Sequence, residues 1–67
     1  MEFELKTEYI ELIKLLKITG LADTGGMAKH MVEDEEVLYN GEVDTRKRLK
    51  VRKGDKITVN DIEVQVV

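Results

Sequence analysis

The residues of this chain that could do chemistry are concentrated in one stretch, residues 46–53, where six of the eight side chains are basic. The other two, Leu49 and Val51, are apolar and stand two positions apart. If the stretch is extended, successive side chains alternate between two faces, so Leu49 and Val51 share a buried face. The solvent face then carries four cations, Arg46, Arg48, Lys50 and Arg52. A row of cations of this kind attracts phosphate groups and other anions.

Charge is distributed unevenly along the 67 residues. Residues 1–45 carry a net charge of −7 and residues 46–67 a net charge of +4, within a formal total of −3. A local basic patch can attract a polyanion whatever the total charge. The alternative is that the basic run is only a solvated or edge-protecting face, as charge runs often are. Binding is favoured here because the rest of the chain is acidic and gains no obvious solubility from the cluster.

The composition excludes several kinds of site. Cysteine is absent, so the chain has no disulfide and no thiolate metal site, which fits a reducing cytoplasm. His30 is the only histidine, and we expect it on a helix surface; the acidic residues 33–36 are expected to form a solvated edge. No metal or cofactor is therefore expected. Serine is also absent, and with no nucleophile-and-base arrangement we expect no enzyme.

The same sequence predicts one domain over residues 1–67, acting as a monomer in the cytoplasm. A chain of this length buries about 60% of the surface of its unfolded state. No apolar run approaches the roughly twenty residues of a membrane span, so no membrane contact is expected. The start of the chain lacks the basic and apolar regions of a signal peptide.

The elements that must position the basic run begin with a strand and a helix. Phe3 and Leu5 alternate with charged residues and predict a strand that pairs with the C-terminus. Thr7 is a candidate cap for the helix that follows. Gly20 fits the left-handed position after that helix, where Leu21 can pack back on its last turn. The apolar stripe of the helix comprises Tyr9, Ile10, Leu12, Ile13, Leu15 and Leu16.

A second helix is predicted from Asp23 or Thr24 to about residue 34. Its buried face comprises Met27, Ala28, Met31 and Val32. Gly25 and Gly26 open it, although together they cost about 2 kcal/mol of helix propensity relative to alanine. Two explanations remain open. The glycines permit close packing of the two helices, or they let a ligand approach the amides of a helix N-terminus, which is an anion site.

From Val37 onward the hydrophobic period changes to two, which is typical of strands. Asn40-Gly41 is the preferred pair for a type I′ hairpin turn. Further turns are predicted at Gly54-Asp55 and at Asn60-Asp61, before the alternating residues 62–66. Two helices followed by a small antiparallel sheet define the α+β class.

These spacings resemble the S-four domain, an RNA-binding module named after a small-subunit ribosomal protein. That family reads roughly G-x-x-x-S-R-x-x-A-x-x-L-I-x-x-G-x-V-x-V-N-G, later followed by G-D-x-I. The matching positions are Gly20, Thr24, Ala28, Met31-Val32, Val37, Tyr39-Asn40-Gly41 and Gly54-Asp55-Lys56-Ile57. The resemblance covers residues 10–60. It implies the family's fold, two antiparallel helices packed on a small, bent, mainly antiparallel sheet.

The chain looks closest to the small stand-alone bacterial subfamily of the YaaA/YbcJ type. There Gly-Gly-x-Ala-Lys opens the second helix and Thr-Arg-Lys-Arg follows the hairpin. This chain has Gly25-Gly26-Met27-Ala28-Lys29 and Thr45-Arg46-Lys47-Arg48. Two positions depart from the wider family. Gly25 replaces an arginine, so one usual phosphate contact is absent, and Glu35 stands where a glycine usually ends the second helix.

The resemblance implies binding of structured RNA, with ribosomal RNA as the expected target. Phosphates would lie between the opening of the second helix and the basic run. The expected contacts are Thr24, Gly25, Gly26, Lys29, Arg46, Lys47, Arg48, Lys50 and Arg52. Phe3, Tyr9 and Tyr39 are expected in the core, so recognition by shape and backbone is expected rather than base stacking. The competing hypothesis is a protein-interaction module that docks its basic face on an acidic partner.

Overall fold

Two helices and seven short strands build the fold in the computed structural model, which describes residues 1–67. Their order is β1 (Glu2–Phe3), β2 (Ile10–Glu11), α1 (Leu12–Ile18), α2 (Gly25–Glu33), β3 (Val37–Tyr39), β4 (Glu42–Val43), β5 (Lys50–Val51), β6 (Lys56–Val59) and β7 (Ile62–Val66). The predicted α+β class is confirmed. Neither helix is long and apolar enough to cross a membrane.

The strands form two sheets. Five of them lie in the order β1-β7-β6-β3-β4, and every neighbouring pair is antiparallel except β1 with β7. That parallel pair places Phe3 beside Val66, which confirms the predicted pairing of the two ends of the chain. The second sheet contains only β2 and β5, with Ile10 opposite Val51. It joins the start of α1 to the basic run.

The core lies between the helices and the larger sheet. Fully buried leucines of α1 and Val32 of α2 pack in one cluster with Ile57 and Val64 of the sheet. Burying a side chain of this size stabilises the fold by about 1.5–3 kcal/mol. No charged or polar residue is buried in the cluster, so every cation remains available at the surface.

Helix α1 begins later than predicted, and Thr7 does not cap it. Thr7 Oγ1 instead donates a hydrogen bond to the carbonyl of Tyr9 at 2.8 Å, and Glu11 stands at the N-cap without a side-chain bond. The reason is that Ile10 and Glu11 are extended in β2. The end of the helix agrees with the sequence: Gly20 has a φ of 81°, and the amide of Ala22 donates to the carbonyl of Leu16 at 3.0 Å.

Helix α2 begins as predicted, at a Thr24 cap whose Oγ1 accepts a hydrogen bond from the amide of Met27 at 3.0 Å. Ala28, Met31 and Val32 are buried. The predicted burial of Met27 is wrong, since that residue is 44% exposed. Its position in the first turn lies outside the buried face, and its sulfur accepts from the amide of Asp23 instead.

Glu35 occupies the left-handed position that ends α2, with a φ of 61°. The amide of Glu36 donates to the carbonyl of Met31 at 3.1 Å, which completes the same C-terminal motif that a glycine would support. A residue with a Cβ atom pays about 1–2 kcal/mol for this conformation. The presence of Glu35 where the family usually has glycine therefore lowers the stability of the fold but leaves the turn intact.

The predicted type I′ hairpin is confirmed between β3 and β4. Asn40 and Gly41 have φ values of 51° and 91°, and Tyr39 pairs with Glu42 across the turn. The turn at Asn60-Asp61 connects β6 to β7, with Val59 opposite Ile62. Tyr39, the last residue of β3, lies beside the basic run.

Candidate nucleic-acid interface

The extended conformation considered for the basic segment, residues 46–53, holds for only part of it. Only Lys50 and Val51 are β-strand, and a turn precedes them in which the amide of Leu49 donates to the carbonyl of Arg46 at 3.3 Å. The cause lies in α1. The first-turn amides of Leu12 and Ile13 have no partner within the helix, and they donate to the carbonyls of Leu49 at 2.9 Å and Lys47 at 3.3 Å.

The first three cations of the basic segment each form an ion pair with a carboxylate that lies outside the segment. The pairs are Arg46 with Asp44 at 2.7 Å, Lys47 with Glu33 at 2.8 Å, and Arg48 with Glu11 at 3.1 Å. Glu33 is thus more than the solvated edge that was predicted, because it connects the end of α2 to the basic segment. Asp34, Glu35 and Glu36 are exposed as expected.

Two of these ion pairs favour the ionised form of the acid. The hydrogen bond and the charge of Lys47 hold the pKa of Glu33 below its usual value, and Arg46 does the same for the pKa of Asp44. In return, Asp44 raises the pKa of the Arg46 guanidinium. At neutral pH these carboxylates therefore offset part of the positive charge of the segment.

Lys50 and Arg52 form no ion pair and lie instead against an aromatic ring. Lys50 Nζ is 4.9 Å and Arg52 Cζ is 5.9 Å from the centroid of the Tyr9 ring, which is cation–π geometry. The predicted burial of Tyr9 is wrong, since it is 38% exposed. Ile10 faces the core opposite Val51, so alternation directs Tyr9 to the outer side with the two cations.

Four of the six cations of the basic segment surround one hollow of about 580 Å³. Its lining residues are Tyr39, Arg46, Arg48, Leu49, Lys50 and Arg52. The four cations that the alternation argument grouped together are therefore neighbours, although a turn and a short strand bring them together instead of one long strand. Lys47 does not line the hollow, because it turns towards Glu33.

Asp55 fixes the positions of Tyr39 and Arg52, two residues that line this hollow. Its carboxylate accepts hydrogen bonds from Tyr39 Oη at 2.8 Å, from Asn40 Nδ2 at 3.3 Å and from the amide of Arg52 at 2.8 Å. Partial burial opposes ionisation, but these bonds prevail and the pKa of Asp55 is lowered. Burial and the bond to Asp55 raise the pKa of Tyr39, so its hydroxyl stays protonated and donates. The sequence identified Asp55 only as a turn residue.

The opening of α2 is a separate surface that does not line the hollow. A Cβ atom at Gly25 would meet nothing within 4 Å, and one at Gly26 would meet only Thr24 Oγ1 at 3.9 Å. Close helix packing therefore does not explain the two glycines. Thr24 Oγ1 accepts from Met27, which leaves its hydroxyl hydrogen free to donate. Lys29 is exposed and forms no ion pair.

Sequence reasoning missed five residues of this surface: Tyr9, Glu11, Glu33, Asp44 and Asp55. Alternation around the buried Ile10 was a usable signal for Tyr9, because it places residues 9 and 11 on one side. No local signal existed for the ion pairs of Glu11 and Glu33, since their partners lie 37 and 14 positions away in the chain.

A fold of this kind with a cationic surface is that of a known family. The family model of the S4 domain matches residues 3–67, and the chain belongs to that family, which confirms the resemblance drawn from the sequence. It is similar to the "Putative RNA-binding protein YbcJ" of Escherichia coli (strain K12), with 37% identity over 62 residues, 92% of this chain and 89% of that protein.

One further relative and a solved structure of YbcJ agree. The "Probable ribosome maturation protein RlbA" of Bacillus subtilis (strain 168) is 40% identical over 53 residues, 79% of this chain and 75% of that protein. The solution structure of E. coli YbcJ, described as revealing an ALFAL motif involved in RNA-binding, superposes with a TM-score of 0.76 at 37% identity. The superposition covers 98% of this chain and 85% of that one.

Proposed function

We propose that this protein binds structured RNA, with ribosomal RNA as its target, and that it catalyses no reaction. The observation that carries the proposal is the hollow bordered by Arg46, Arg48, Lys50 and Arg52, which gathers four cations on an otherwise acidic chain. The names of the relatives support it, since one is a "Putative RNA-binding protein" and another a "Probable ribosome maturation protein".

The cations of the basic segment have two different roles in this proposal. Lys50 and Arg52 are available at once, because neither forms an ion pair in the free protein. Arg46, Lys47 and Arg48 exchange a carboxylate for a phosphate when RNA binds. That exchange costs little, because exposed ion pairs are typically worth about 0–1 kcal/mol.

The opening of α2 supplies a second set of phosphate contacts. Space is open where a Cβ atom would stand at Gly25 and Gly26, so a phosphate can come close to the backbone there. Thr24 has a hydroxyl hydrogen to donate, and Lys29 adds a charge. The dipole of the nine-residue helix favours an anion at this end. Backbone contacts at two surfaces suit recognition of RNA by shape.

The proposal is tested by titrating the protein with a fluorescent RNA hairpin at several salt concentrations. Each phosphate contact adds about 0.7–0.9 to the slope of log affinity against log salt. With four contacts, affinity should fall roughly sixtyfold between about 50 and 200 mM salt. Absence of binding at low salt, or an affinity that does not change with salt, would rule out the proposed contacts.

The variant Gly26→Ala tests how much the opening of α2 contributes to RNA binding, separately from the basic segment. Because the new Cβ meets no close atom and alanine has the higher helix propensity, we expect the variant to gain up to about 1 kcal/mol of unfolding free energy. RNA binding should weaken, since the methyl group stands where a phosphate would approach the amides. Thermal denaturation beside the hairpin titration measures both. Unchanged affinity would remove the α2 opening from the site, and a lower melting temperature would contradict the open surroundings of Gly26.

The second candidate function is docking on an acidic protein. It is favoured by the three ion pairs, which show that the basic segment accommodates carboxylates. The two functions differ in what co-purifies with the protein. An absorbance ratio at 260 over 280 nm that is high, and that falls after ribonuclease treatment, supports RNA; a protein free of nucleic acid that binds acidic peptides supports docking.

The proposal also treats residues 1–67 as one domain that acts as a monomer in the cytoplasm. The absence of cysteine supports a reducing compartment, and the short edge strands β1 and β4 offer little backbone for pairing with a second copy. Size-exclusion chromatography with light scattering tests the oligomeric state directly.

A further inference from the structure

Tyr9 is an aromatic ring at the surface beside the unpaired cations of the proposed RNA site. It is the only aromatic residue among the exposed large hydrophobic residues, and its hydroxyl forms no hydrogen bond within the protein. Lys50 and Arg52, which lie over its ring, also line the basic hollow. Tyr9 therefore stands at the border of the proposed phosphate site, with part of its surface free.

The same ring borders a second hollow. This groove of about 610 Å³ is formed by residues 3–11 together with Lys14 and Ile18 of α1. Its volume is within the range of about 300–1,000 Å³ that is typical of small-molecule sites. Phe3, Ile10 and Ile18 give it apolar surface, which suits a flat aromatic ligand.

The charges around the groove select which part of a nucleotide can enter it. Three acids (Glu4, Glu8 and Glu11) and two lysines (Lys6 and Lys14) line the groove, so it has no net positive charge and attracts phosphate less than the basic hollow does. Carboxylates accept hydrogen bonds from the amino groups of nucleobases. The cations Lys50 and Arg52 attract phosphate on the neighbouring side of Tyr9. A nucleotide with its phosphate at these cations and its base in the groove satisfies both surfaces.

We propose that Tyr9 stacks on an unpaired nucleobase of the bound RNA, whose phosphate is held by Lys50 and Arg52. The inference rests on the proposed function and narrows its ligand to RNA with an unpaired nucleotide, such as a bulge or a helix end, beside the contacted backbone. Aromatic side chains stack on any base, because every base has a π-face. Cation–π contacts at exposed sites are weak, so phosphate can draw the two cations from the ring at little cost.

Two hairpins with the same stem test this inference. One is fully paired, and the other carries a single bulged 2-aminopurine, a base whose fluorescence falls when it stacks. Each is titrated with wild type, Tyr9→Phe and Tyr9→Leu. We expect wild type and Tyr9→Phe to quench the bulged base and Tyr9→Leu not to. Tyr9→Leu should bind the bulged hairpin about tenfold more weakly than wild type and the paired hairpin equally well.

The outcomes separate the stacking from the backbone contacts. Because no charge is removed, the salt slope of Tyr9→Leu should equal that of wild type. Wild type that binds both hairpins without quenching overturns the role of Tyr9 and leaves the proposed function standing. If Tyr9→Phe and Tyr9→Leu lose the same affinity for the bulged hairpin, stacking is also overturned, since phenylalanine keeps the ring. Failure of wild type to bind either hairpin overturns the proposed function and the inference together.

Discussion

Replacing Lys50 and Arg52 together with glutamine is expected to weaken RNA binding roughly thirtyfold at about 0.1 M salt. These two cations form no ion pair, so neither has to leave a carboxylate before it binds phosphate. Losing two contacts should also flatten the salt dependence by about 1.5 in the slope of log affinity against log salt. Titration of the same hairpin over a salt series measures both quantities.

The matched control is the double variant Arg46→Gln and Arg48→Gln, which removes the same number of charges from the same hollow. Its effect should be smaller, because Asp44 and Glu11 already offset these arginines in the free protein. All four side chains are exposed, so both variants should keep the wild-type melting temperature, since surface changes usually alter stability by about 0.5 kcal/mol or less. Equal losses in the two variants would contradict the distinction between paired and unpaired cations.

Asp55→Ala is expected to lower the free energy of unfolding by about 2–3 kcal/mol. The substitution leaves the Tyr39 hydroxyl, the Asn40 amide and the Arg52 backbone amide without their acceptor. In a domain of this size such a loss lowers the melting temperature by roughly 10–20 °C. Thermal denaturation at neutral pH measures it. Asp55→Asn, which keeps one acceptor oxygen and the volume, should lose less.

The same carboxylate predicts a pH dependence. Because the pKa of Asp55 is lower in the folded state, its contribution to stability is fully present above the unfolded-state pKa of about 3.9. The contribution is lost as the pH falls through the folded-state pKa. The stability difference between wild type and Asp55→Asn should therefore shrink on acidification from pH 7 to below about pH 3. Parallel stability curves for the two proteins would show that the carboxylate is not responsible.

Much of the fold could be predicted because it depends on local chemistry. Thr24 caps α2 through a hydroxyl three residues from its donor, Gly20 ends α1 with a positive φ, and Asn40-Gly41 closes a hairpin that needs positive φ at both positions. Each of these features is decided within four or five residues, so the sequence displays it directly.

The site could be predicted only in outline, because distant residues decide its details. Leu49 and Val51 are compatible with a long strand, but the amides at the start of α1 use the carbonyls of Lys47 and Leu49 and force a turn between them. Tyr9 looked like part of an apolar helical stripe, whereas β2 directs it to the surface. Periodicity grouped Arg46, Arg48, Lys50 and Arg52, which line one hollow in the structure, but it could not show which of them have a carboxylate partner.

The pairing of β1 with β7 affects how the chain can fold during synthesis. Glu2 lies beside Gln65, and the amino group of Met1 donates to the carbonyl of Glu63 at 3.0 Å. A ribosome adds about 5–20 residues per second, so β1 waits roughly 3 to 12 seconds for the strand that pairs with it. Contacts between distant residues slow folding. Strand β1, although it is synthesised first, can therefore join the larger sheet only after β7 has left the ribosome.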